Sequence, residues 1–185
     1  MTDREPVPLT QVGVVVRDLW ATMKLYHELL GWGPWYVYEY RPPFFTGGEL
    51  RGKPAQFSFL GAEVQVGPIW FELIQPLEGE SLYTEFLAEK GEGLHHVLVG
   101  WDPEEQAPGQ SRPSGGELPA SVETARTIRS QLGALGMDVL MGGRIGASTE
   151  FYYLDTEPRL KVMIELAGGS PADLEPIAIY PEPRG

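Results

Sequence analysis

The sequence predicts an α+β fold built from two copies of one βαβββ unit. Three observations carry this. A valine-rich alternating run followed by an amphipathic helix occurs twice. The first copy is TQVGVVVRDLWATMKLYHELL at residues 10–30. The second runs through residues 94–135 as LHHVLVGWDPEE, a polar interruption and SVETARTIRSQLGAL. Each copy also closes on a strand ending in an apolar residue, Glu and Leu: IWFEL at 69–73 and VMIEL at 162–166. Finally, a polar residue opens each copy, Gln11 in the first and His96 in the second.

The elements follow in order. Residues 1–8 are a lead-in. Leu9–Arg17 alternates and is rich in valine, as a half-buried strand does. Asp18 is a candidate N-cap, Leu19, Met23, Tyr26 and Leu30 fall on one helical face, and Gly31 is a stop. Trp35–Tyr40 reads as a strand. RPPFFTGGELRGK at 41–53 holds two prolines and three glycines and reads as a loop. Gln56–Leu60 and Val64–Gln75 are the remaining strands of the first copy. Ser81–Lys90 is a connecting helix with Leu82, Phe86 and Leu87 on its apolar side. Leu94–Trp101 opens the second copy, and the polar segment Asp102–Pro119 reads as an inserted surface loop. Ser121 is a candidate N-cap for a helix carrying Ala125, Ile128, Leu132 and Leu135, with Gly136 as its stop. Met137–Met141, Glu150–Asp155 and Leu160–Ala167 are the last strands, and the proline-rich tail is expected to wrap the surface. The expected organisation is a single domain over 1–185. It comprises a module at 9–77, a connector at 78–92, a module at 93–167 with an insertion at 102–119, and a tail at 168–185.

Composition narrows the function. A formal net charge of −12 and a pI of about 4.6 argue against nucleic acid or an anionic membrane as partner, since phosphate binding needs clustered Lys and Arg. The chain has no cysteine, so a metal would be held by nitrogen and oxygen. The N-terminus lacks a basic region followed by an apolar stretch, and no apolar run reaches membrane-spanning length. A cytoplasmic protein is expected.

The repeat places Gln11, Glu72, His96 and Glu165 at matching positions as four candidate metal ligands. Each interrupts an apolar strand face: Gln11 beside Gly13 and Val15, Glu72 beside Trp70 and Ile74, His96 beside Leu94 and Leu98, Glu165 beside Met163 and Ala167. A carboxylate buried on such a face needs a cation, and these strands carry few Lys or Arg. Taken singly, each residue has an ordinary structural explanation; as a repeated set they point to a metal. Zn, Co, Ni, Mn and Mg all suit one imidazole and three oxygens. Alternation sends the His95 side chain to the face opposite His96, where it is structural or supports the ligand.

With these residues the chain resembles the vicinal oxygen chelate superfamily, which includes glyoxalase I, methylmalonyl-CoA epimerase, extradiol dioxygenases and antibiotic-resistance binding proteins. The stretches that carry the resemblance are QVGVVVRDL, FELIQPLEGES, EFLAEKGEGLHHV, RIGAS and VMIELAG, spread over about residues 9–167. The resemblance implies a glyoxalase/bleomycin-resistance-like fold, a cupped, incomplete barrel around one divalent metal held by Gln11, Glu72, His96 and Glu165. It implies a metal-dependent lyase or isomerase acting on a small substrate that bears a carbonyl or vicinal oxygens. Proton transfer would run through an enediolate, with Glu165 or Glu72 as base. Arg144, in RIGAS, is a candidate for an anionic substrate group, and Trp70 and Tyr152 for an aromatic substrate wall, although such rings also serve as core. A homodimer is expected by analogy. Two features depart from the epimerases: Gln11 stands where they carry His, and Glu49 is no clean counterpart of their additional proton-transfer glutamate. The alternatives are a binding protein of the same fold without catalysis, and an Fe(II) extradiol-type dioxygenase, which would need a second histidine.

Overall fold

The computed structural model describes residues 6–100, 120–147, 149–169 and 175–182. The insertion expected at 102–119 lies outside them. The first module comprises β1 (Leu9–Val15), α1 (Leu19–Leu30), β2 (Trp35–Tyr40), a hairpin of β3 (Phe45–Leu50) and β4 (Lys53–Pro54), β5 (Ser58–Val66) and β6 (Ile69–Glu78). After α2 (Leu82–Glu89) come β7 (Gly93–Val99), α3 (Ala120–Gly133), β8 (Val139–Ile145), β9 (Thr149–Leu154), the short α4 (Glu157–Leu160), β10 (Met163–Gly168) and β11 (Ala178–Tyr180).

All the strands form one curled mixed sheet, ordered β11-β2-β5-β6-β1-β7-β10-β9-β8-β3-β4. The modules meet at the antiparallel pair β1–β7 in its centre. Val15, Tyr38, Phe59, Ile74, Leu98, Met141, Phe151 and Tyr153 fill the concave side. On the convex side α1 packs Leu19 and Met23 against Trp35, Val37, Ala62 and Leu73. There α3 packs Ala125 against Leu154 and Leu166. This is an α+β half-barrel. Among the described residues no helix is long and apolar enough to cross a membrane.

Local chemistry sets the helix ends. The Asp18 side chain accepts a hydrogen bond from the Ala21 amide, and Gly31 ends α1 at φ 70°, a left-handed conformation that glycine adopts without strain. Ser81 and Thr84 form a reciprocal capping box at the start of α2. Helix α3 already contains Ser121, so that residue is not its cap.

Three segments differ from the sequence reading. Residues 61–63 are strand, and the turn between β5 and β6 falls at Gly67-Pro68. The expected loop at 41–53 instead contains the β3–β4 hairpin, which leaves the first module and pairs with β8 of the second, Phe45 opposite Ile145 and Leu50 opposite Met141. Arg51 tethers its tip to Glu85 of α2 through two hydrogen bonds of 2.6 and 2.7 Å. Part of the tail forms β11 and pairs with β2.

Candidate active site

The concave side holds a small cavity of about 40 Å³, lined by Gln11, Glu63, Glu72 and Glu165 together with aromatic walls from Tyr40, Phe59, Tyr83, Phe151 and Tyr153. Inward-facing positions of four strands supply the expected polar set: Gln11 on β1, Glu72 on β6, His96 on β7 and Glu165 on β10. His96 is fully buried, with Nε2 2.9 Å from Glu165 Oε2 and 3.8 Å from Glu72 Oε2. Gly13 makes room for it. Gly13 lies opposite both Glu72 and His96 in the sheet, and a Cβ at this position would overlap the His96 ring.

The two histidines are not on opposite faces. The register between β1 and β7 shifts so that Gly13 faces His96 and Val14 faces Leu94, which leaves His95 as the extra residue of a bulge. Its ring stays beside His96, Nδ1 to Nδ1 at 3.0 Å. Burial, then His96 and Lys90, push the His95 imidazole well below its usual pKa, so it is neutral.

Glu63 escaped the sequence reading. It lies directly opposite Glu72 in the β5–β6 pair and accepts a hydrogen bond from the Tyr40 hydroxyl at 3.3 Å. Burial raises its carboxyl to about 7, despite the opposing Tyr40 hydrogen bond, with the Glu165 charge as a further upward push. Burial, then Glu63 and Glu165, hold Glu72 well above the ordinary carboxylate range. Placing the β5–β6 turn at 61–63 hid this residue; the alternation Phe59, Gly61, Glu63 on the inward face was the available signal. Tyr83 was likewise legible, being three and four residues from Phe86 and Leu87 on the apolar face of α2.

The polar set fits a divalent cation. Nε2 of His96 and Oε2 of Glu165 are buried and approach each other at 2.9 Å without forming an aligned hydrogen bond to any group, and the cavity lining contains three carboxyl groups and no Lys or Arg. One imidazole nitrogen, carboxylate oxygens and the Gln11 amide oxygen form a donor set for a hard to borderline ion. Among the described residues no three His, Asp or Glu side chains are already drawn together as a coordination sphere.

The three proposed substrate contacts do not line the cavity. Trp70 shares the inward face with Glu72 and is buried opposite Gln11, outside the lining. Arg144 and Tyr152 alternate with Ile145 and with Phe151 and Tyr153, so they point to the convex side. There Arg144 Nη2 donates to Glu150 at 3.0 Å, and the Tyr152 hydroxyl donates to Glu150 at 2.6 Å. Arg126 also donates twice to Glu150. Burial alone would raise the Glu150 carboxyl, but hydrogen bonds from Arg126, Tyr152 and Arg144 hold it at about 2. Arg144→Ala is accordingly expected to cost less than about 1 kcal/mol, as for exposed ion pairs, and to leave binding in the cavity unchanged. Thermal denaturation and a ligand titration check both.

A family model described as Glyoxalase/Bleomycin resistance protein/Dioxygenase superfamily matches residues 10–105, more than half of the 185-residue chain. Among solved structures, a hypothetical protein from Bacillus halodurans C-125 is similar at 16% identity and a TM-score of 0.52, over 87% of this chain and 93% of that one. Methylmalonyl-CoA epimerase from Mycobacterium tuberculosis is similar at 20% identity and a TM-score of 0.50, over 92% of this chain and 88% of that one. These likenesses establish the fold. No curated protein matches the chain.

Proposed function

The chain belongs to the glyoxalase/bleomycin resistance protein/dioxygenase superfamily, and within it we propose an isomerase or lyase of the epimerase type that moves a proton at a carbon next to a carbonyl. The observation that carries the reading is the convergence of Glu63, Glu72 and Glu165 on one aromatic cavity that no Lys or Arg lines, with His96 Nε2 buried directly behind Glu165 and Glu72.

Gln11, Glu72, His96 and Glu165 would hold a divalent ion, which when bound supplies the positive charge that polarises a substrate carbonyl. A ligand histidine needs its lone pair at Nε2, so His96 donates its Nδ1 hydrogen to Nδ1 of neutral His95. Glu165 is the first base. Glu63 replaces Glu72 as its partner, because its carboxyl lines the cavity outside the proposed ligand set and the Tyr40 hydroxyl orients it. With Glu165 on β10 and Glu63 on β5, a proton taken on one side of a carbon is returned from the other. The aromatic walls keep water out of the transfer. A single histidine in the set speaks against the dioxygenase.

The test is elemental analysis of the purified protein together with NMR of α-hydrogen exchange in D2O, using 2-hydroxyacetophenone as probe. About one equivalent of divalent ion per chain is expected, retained in Glu63→Gln and reduced in Glu165→Gln. Exchange should slow by about 10²–10⁴-fold in both variants. An ion-free protein, even after incubation with Zn, Co, Ni, Mn or Mg, that binds the probe without exchanging its hydrogens would instead be a binding protein.

A further inference from the structure

The mechanism above leaves two phenols and one threonine of the cavity unused. We propose that the paired hydroxyls of Tyr83 and Tyr153 are a hydrogen-bond-donating subsite for a substrate oxygen and that the acidic lining around them makes the preferred substrate a neutral ketone or hydroxyketone rather than a carboxylate. This rests on the proton-transfer reading and names its substrate class.

The hydroxyls lie 2.9 Å apart and both residues line the cavity. Two phenols carry two hydrogens, and their mutual bond uses one. The accepting hydroxyl keeps its own hydrogen, for which no acceptor is found among the described residues. Tyr40 differs, because its hydrogen is given to Glu63. The spare donor also sits at the reacting centre. Tyr153 is the residue opposite Glu165 in the β9–β10 pair, and its ring packs edge-on against His96 at 4.9 Å.

Charge supplies the second half of the argument. Three carboxyl groups line the cavity without a Lys or Arg, and one divalent ion leaves no positive charge over for an anionic substrate group. A substrate oxygen other than the one facing the ion would therefore be met by neutral donors, which is what a phenol pair provides.

Thr149 extends the picture. The residue lines the same cavity, and its Oγ1 is buried without a partner. It lies on the inward face of β9 four residues from Tyr153, roughly 13 Å along the strand. Ile145, Phe151 and Ala167 lie towards that end of the cavity.

The experiment compares 2-hydroxyacetophenone, which is neutral, with benzoylformate, an anion of similar size that also presents two adjacent oxygens. Dissociation constants are read by ligand-observed NMR on the wild type, Y83F, Y153F and the double variant, with melting temperature and ion content measured on the same samples. The neutral probe should bind the wild type at least about tenfold more tightly than the anion. The double variant should weaken the neutral probe about three- to tenfold, and each single variant less, because the remaining phenol keeps its hydrogen. A merely structural pair would lower the melting temperature and leave the affinity of the folded variants for the neutral probe unchanged. Equal binding of the two probes by the wild type overturns the proposal whether or not the double variant folds. So does unchanged affinity in a folded Y153F and a folded double variant. Retained ion and proton exchange with either of those results removes this inference and leaves the function reading standing; absent ion and exchange remove the function reading.

Discussion

Replacing Gly13 with alanine should destabilise the protein and remove ion binding together. Gly13 is opposite Glu72 on one side and His96 on the other, at the centre of the sheet. Its φ is unremarkable for any residue, so space alone demands glycine here. A methyl group would overlap His96 Cε1, Nε2 and Nδ1, and the ring is fully buried with nowhere to retreat. The imidazole must turn, which withdraws Nε2 from Glu165 and Glu72 and breaks the His95 contact. Overpacking of this kind costs about 1–3 kcal/mol. For a chain of this size the melting temperature should fall by about 2–4 °C per kcal/mol. Ion affinity should drop by about 100-fold or more, beyond the effect of losing a supporting contact. A calorimetric melt and an ion titration on the same preparation check both, and a variant that takes up the ion as the wild type does would refute the role given to Gly13.

The protein stripped of divalent ions should be more stable in mild acid than at neutral pH, the reverse of common behaviour. Burial raises Glu63 from 4.5 to about 7 and holds Glu72 well above 4.5. Between pH 4.5 and about 7 these two carboxyls therefore bind more protons in the folded chain than in the unfolded chain, so their contribution to stability falls as pH rises. The depressed His95 works in the opposite sense below its ordinary value of 6.5 and offsets part of the fall, but it is one group against two. At about 1.4 kcal/mol for each tenfold change in proton activity, Glu63 alone accounts for about 3 kcal/mol. Denaturation in urea with a chelator present, at pH 5 and at pH 8, measures it. Glu63→Gln should flatten the difference and stabilise the stripped protein at pH 8. A divalent ion favours the ionised carboxylates, so with saturating ion the dependence should reverse. A stripped protein that gains stability from pH 5 to pH 8 would contradict the carboxylate assignments.

Most of the fold was legible because burial imposes period. Valine alternation in β1, the spacing Leu19–Met23–Tyr26 in α1 and the repeated Glu-Leu strand ends are local signals that the two halves corroborate. The same alternation identified Gln11, Glu72, His96 and Glu165, whose convergence is geometry that strand faces alone imply. What escaped depended on pairing. Gly61 reads as a turn residue, yet it sits in mid-strand beneath the Tyr40 ring, and that misplaced turn concealed Glu63. The bulge at His95 is a register shift between β1 and β7, which neither strand announces by itself. Arg144 and Tyr152 face away from the cavity for a simpler reason: with Phe151 and Tyr153 facing inward, their neighbours on the strand face out, where Glu150 accepts hydrogen bonds from both.

The β3–β4 hairpin has a consequence for the duplicated architecture. Although the sequence divides at α2, the molecule does not. Residues 45–54 belong to the first half by chain order and to the second by pairing, since β3 completes the edge of β8. A chain cut in the connector would leave one fragment with a hairpin lacking its sheet and the other with an exposed strand edge, the surface on which unpaired strands aggregate. Two recognisable repeats have thus become one indivisible unit, clasped across the cup.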